Sequence, residues 1–111
     1  MAGTLNRVAE MHHCVWAIAL TANNDAVTFR PNHAMRGMTV QAEGTFSSGT
    51  VALQGSNDGS TFYALPTAVS LTAAGIKSVA QLDLAYDYFK VIVTGATTPD
   101  LVVTVHALHN T

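Results

Sequence analysis

Apolar and polar residues alternate with a period of two along much of this chain, and that period predicts strands. In 15–20, Trp16, Ile18 and Leu20 fall on one side and Val15, Ala17 and Ala19 on the other. Met38, Val40 and Ala42 alternate with Thr39, Gln41 and Glu43, and Val51 and Leu53 alternate with Thr50, Ala52 and Gln54. Near the end, Leu101, Val103, Val105 and Ala107 oppose Val102, Thr104, His106 and Leu108. Shorter strands are predicted at 26–30, 62–65, 69–71, 78–84 and 86–93. Between these runs stand turn-forming residues: Asn23-Asn24-Asp25, Phe46-Ser47-Ser48-Gly49, Ser56-Asn57-Asp58-Gly59-Ser60, Thr72-Ala73-Ala74-Gly75 and Gly95 to Pro99. Asn and Asp accept left-handed backbone angles, and Asp-Gly between alternating runs predicts a tight hairpin with positive φ. Only 80–86 has the composition of a helix, and it suits a strand as well.

The expected fold class is therefore all-β: an antiparallel β-sandwich, jelly-roll-like, of seven to eight short strands. Residues 1–13 have no clear period and predict an extended N-terminal arm, held by its own sheet or by a neighbouring subunit. The sandwich domain is expected over 14–111. Removing the arm is expected to leave the domain folded and weaken assembly.

Composition sharpens this picture. Only 11% of the 111 residues are charged, against about 25% in an average soluble domain. A surface so poor in charge favours a chain partly covered by partners, as a homo-oligomer or in a larger assembly. The five basic residues, Arg7, Arg30, Arg36, Lys77 and Lys90, are scattered. Neither a nucleic-acid face nor a polybasic membrane patch is expected from them. The apolar run 14–20 could pass for a signal core, but Glu10 precedes it and Arg7 is its single upstream cation.

Chemistry-bearing residues are few. His12-His13-Cys14 could offer metal ligands, but neighbours on a strand point to opposite faces, and no zinc-type spacing accompanies them. Cys14 stands in an apolar run, where it acts as a small hydrophobe. The seven acids mostly lie in predicted turns, and none is nominated as a catalytic pair. Ser56 to Ser60 lacks the distal ligands of a calcium loop. Trp16, Tyr63, Tyr86 and Tyr88 could form a sugar-binding platform. No catalytic residue, metal site or cofactor is expected, and the chain is not expected to be an enzyme.

The segment 39–65 contains Gly49-Thr50-Val51-Ala52-Leu53-Gln54-Gly55-Ser56-Asn57-Asp58-Gly59, then Phe62 and Leu65. It resembles small β-sandwich structural proteins of tailed-bacteriophage particles, with Phe62 where Trp is frequent in the pattern. Tyr88-Phe89-Lys90-Val91-Ile92-Val93-Thr94-Gly95 looks like the companion strand. The resemblance implies a virion protein: a capsid decoration or cement protein, or a neck, tail or fibre component. Its implied partners are the major capsid protein or other virion proteins, with a homotrimer favoured, and its implied location is the virion. Leu5, Arg7, Val8, Met11, His12 and His13 of the arm are the expected interface residues.

Overall fold

The computed structural model describes residues 4–9, 13–31 and 35–109. In chain order the strands are β1 (Thr4–Ala9), β2 (His13–Leu20), β3 (Ala26–Phe29), β4 (Met35–Thr45), β5 (Thr50–Ser56), β6 (Tyr63–Ala64), β7 (Ser70–Leu71), β8 (Gly75–Ser78), β9 (Tyr88–Thr94) and β10 (Asp100–His109). A 3-10 turn, Gln81–Ala85, precedes β9. One sheet has the order β1-β2-β10-β4-β8 and the other β3-β9-β5-β6, with β7 also on β5. All recorded pairings are antiparallel. The order β2-β10-β4-β8 facing β3-β9-β5-β6 is the two-sheet wrapping of a jelly roll. The all-β sandwich expected from the alternation is what the chain forms.

Among the described residues there are ten strands where seven to eight were expected. β6 and β7 fall within the expected runs 62–65 and 69–71, shortened to two residues each. β8 lies at Gly75–Ser78, ahead of the strand expected over 78–84. The addition is β1. Residues 1–13 were expected to form an extended arm held by its own sheet or by a neighbouring subunit, and Thr4–Ala9 pairs with β2 of its own sheet from Thr4↔Ala19 to Ala9↔Cys14. That stretch is the edge strand of a sheet. The run 80–86 resolves into the 3-10 turn.

The alternating residues face where their period put them. Trp16, Ile18 and Leu20 on β2, Val40 and Ala42 on β4, Val51 and Leu53 on β5, and Leu101, Val103 and Val105 on β10 are all buried. Burying one such aliphatic side chain stabilises by about 1.5–3 kcal/mol. An aromatic ladder crosses the sandwich. The Trp16 and Phe29 centroids are 4.7 Å apart, those of Phe29 and Phe89 are 5.8 Å apart, and Tyr86 meets Phe89 edge-on at 6.4 Å. Edge-on and offset contacts suit the ring quadrupoles. The ladder begins in the core and ends at the surface, on Tyr86.

Strand ends are fixed by turn chemistry. Asp25 Oδ2 accepts from the Thr21 and Ala22 amides at 2.9 and 3.0 Å, closing the turn between β2 and β3. Asn23 Oδ1 accepts from the Ala96 amide, tying this turn to the one that joins β9 and β10.

Candidate functional site

Among the described residues the interior of the roll is an apolar core. A ligand or metal held there would need several polar or ligating side chains turned inward, and the inward positions of the paired strands carry Trp16, Phe29, Phe89, Met38, Cys14 and aliphatic residues. The buried polar side chains, Asp25, Ser56 and Asp83, belong to turns or strand ends. Among the described residues no three His, Cys, Asp or Glu are grouped to hold a metal ion. Cys14 is buried, His13 begins β2, and His12 lies outside the described residues.

Two surfaces remain. The first is the outer face of the β1-β2-β10-β4-β8 sheet. Its registers line up in rows across the strands: Val15–His106–Thr39–Ser78, Ala17–Thr104–Gln41–Ile76, and Ala19–Val102–Glu43. Glu43 is the one carboxylate in these rows. Ile76 and Val102 are 60% and 46% exposed, so apolar surface stands open on a nearly uncharged face. Of the expected interface residues, Leu5, Arg7 and Val8 take register positions on β1 opposite Ile18, Trp16 and Val15. Met11, like His12, lies outside the described residues.

The second surface is a cleft of about 520 Å³ beside the loop that follows β5. Gly55, Asn57, Asp58, Thr61, Tyr63, Leu65 and Tyr86 line it, among others. The tight hairpin expected at Asp58-Gly59 is a wider loop between β5 and β6, closed by side chains, with the expected positive φ at Gly59. Ser56 Oγ accepts from the Gly59 amide at 3.0 Å and donates to Asp58 Oδ1 at 2.8 Å. The same Oδ1 accepts from the Ser60 and Thr61 amides at 2.8 and 2.9 Å. The Thr61 and Ser60 amides, then the Ser56 hydroxyl, hold the Asp58 carboxyl down at about 2. Hydrogen bonds given to the charged form favour it.

Tyr86 is seated by what Gly55 lacks. A Cβ at Gly55 would come within 2.8 Å of Tyr86 Cδ2 and 3.1 Å of Leu65 Cδ2. The four aromatic residues considered for a sugar platform therefore separate. Trp16 is 2% exposed and lies in the core, which removes it from any surface platform. Tyr88 lies under the Arg30 guanidinium, 5.0 Å from its ring centroid. Tyr63, 71% exposed, and Tyr86 share the cleft. Phe62, from the same loop, turns back over the sheet, with Lys90 Nζ 4.6 Å from its ring centroid.

Known structures match along nearly the whole chain. A cupin domain from Bordetella pertussis is 14% identical, with a TM-score of 0.54 over 96% of this chain and 93% of that one. The fold is a cupin-like jelly roll. An RmlC-like cupin from Desulfovibrio desulfuricans is 9% identical, with a TM-score of 0.51 over 96% of this chain and 82% of that one. A cupin domain of an XRE-family transcriptional regulator from Enterobacter cloacae is 13% identical, with a TM-score of 0.50 over 100% of this chain and 99% of that one. No family model matches this cupin-like chain, and no curated protein matches it. At such identities the likeness speaks for the fold alone, and one fold hosts many functions.

Proposed function

We propose that the chain is a structural protein of a tailed-bacteriophage particle, a capsid decoration or cement protein that binds the assembled shell as a homo-oligomer, with a trimer favoured. The observation that carries this reading is the outer sheet face, poor in charged residues and bearing exposed Val102 and Ile76. Burial of such apolar area drives association at roughly 25 cal/mol per Å² removed from water. Exposed apolar patches mark interaction surfaces. The segment that carries the phage resemblance forms β4, β5 and the side-chain-closed loop, so its motif has a structural use in this chain.

The partner in this reading is the major capsid protein, or another virion protein if the chain belongs to the neck, tail or a fibre. A protein that binds only the assembled lattice stabilises it by mass action, and repeated contacts on one particle add avidity. Quantitative mass spectrometry of the source particle, normalised to its most abundant shell protein, tests the proposal. Decoration gives one copy per shell subunit or per few subunits. A ratio of about one in tens moves the chain to the neck or tail, and absence from any particle ends the reading.

A further inference from the structure

Tyr63 is the most exposed large hydrophobic residue described, at 71%, and it does not stand alone. Tyr86 lines the same cleft, its ring edge-on against Phe89 and close against Gly55. The loop adds Asn57, Thr61 and the Asp58 carboxylate to the lining. Oδ1 of that carboxylate is committed to Ser56, Ser60 and Thr61, which leaves Oδ2 for a ligand. We propose that this cleft binds an uncharged saccharide.

The chemistry of the lining selects that class. A pyranose ring offers a face of C–H groups that packs on an aromatic ring, and a rim of hydroxyls. Tyrosine supplies an apolar body with a polar tip. A carboxylate accepts short, charge-assisted bonds from hydroxyls, and Asn57 and Thr61 can donate as well as accept. The acceptor is already held by its loop, so binding need not order it first. At about 520 Å³, the cleft lies within the roughly 300–1,000 Å³ typical of small-ligand sites. Among the described residues no Lys, Arg or His lines it, so an acidic sugar or a phosphate would face an unopposed negative charge. A quaternary amine would satisfy the charge and the rings but would leave the donors and acceptors of Asn57 and Thr61 unused.

The cleft lies on the β5–β6 side of the roll, apart from the rows of the β1-β2-β10-β4-β8 sheet, so this proposal stands independently of the virion role. The test presents the full chain to immobilised neutral disaccharides of glucose, galactose and N-acetylglucosamine. Sialylated glycans and phosphocholine run alongside. Retention on at least one neutral probe is expected. Tyr63→Ala should weaken it by at least about tenfold with an unchanged melting temperature, because Tyr63 is exposed. Asp58→Asn keeps an acceptor at Oδ1 for the loop, replaces Oδ2 with an amide, and should also weaken binding. Amide NMR shifts on addition of the retained sugar should centre on Asn57, Asp58 and Thr61. No retention on any neutral probe overturns the proposal. So does equal affinity in Tyr63→Ala, or binding confined to the sialylated or phosphocholine probes.

Discussion

Gly59 lies face-on against the ring of Tyr88. A Cβ built at Gly59 would come within 3.1 Å of Tyr88 Cζ, and the residue has φ of +77°. On Tyr88 also rests the Arg30 guanidinium, so loop, ring and cation form one packed unit. Gly59→Ala must place a side chain against that ring and adopt a backbone angle that L-residues resist. The expected cost is about 1–2 kcal/mol, read as a lower urea midpoint with an unchanged slope. An unaltered midpoint would mean that the loop does not pack on Tyr88 in solution.

Asp58 makes stability depend on acid. Its folded pKa is lowered from 3.8 to about 2, so the unfolded chain takes up the proton first as pH falls. The stabilisation is complete above about pH 4 and is lost progressively down to about pH 2. Urea midpoints measured across that window should fall more steeply for the wild type than for Asp58→Asn. Parallel curves would show that the carboxylate is not held as described.

Val102 offers a test of the outer sheet face. It is 46% exposed, so Val102→Lys should change stability by no more than about 0.5 kcal/mol. On that face a cation should interrupt the apolar contact with a partner. The expected outcome is an unchanged melting temperature with loss of binding to particles stripped of the protein, followed by sedimentation. Full binding by the variant would move the interface elsewhere.

Removal of residues 1–9 should destabilise the domain and promote self-association, against the expectation drawn from the sequence. Deleting Thr4–Ala9 strips β1 from β2 along six register positions and bares an open sheet edge, which invites pairing between chains. Light scattering of the truncated protein checks this. A monodisperse truncation with the full-length melting temperature would return the segment to the status of an arm.

Legibility in the sequence followed the range of the interactions. The period of two is local, so β2, β4, β5 and β10 could be read from Trp16, Val40, Leu53 and Val105. The turns at Asn23 to Asp25 and at Phe46 to Gly49 were equally plain, because their chemistry is contained in a few residues. The pairing of β2 with β10 was not legible, since any two alternating strands are compatible until the chain folds. The stretch 4–9 shows no period that would separate an edge strand from an arm. The cleft was hidden for the same reason, because Tyr63 and Tyr86 come to one cleft only through the β5–β6 and β5–β9 pairings and the turn before β9. One signal was available at Gly55: a glycine inside an alternating strand marks a place where something approaches the backbone closely. Here it is Tyr86. Trp16, weighed both as a core residue and as part of a platform, lies in the core beside Ile18 and Leu20, as its own period indicates.

The placement of β2 between β1 and β10 has a mechanical consequence. Both neighbours run antiparallel to β2, so β1 and β10 run in the same direction. Thr4 stands opposite Ala19 at one end of β2, and Leu108 stands opposite His13 at the other. Tension applied through Thr4 and Leu108 would therefore pull along the strands in opposite directions. The hydrogen bonds of β2 would bear that load together, in shear, where a peeling force would break them one at a time.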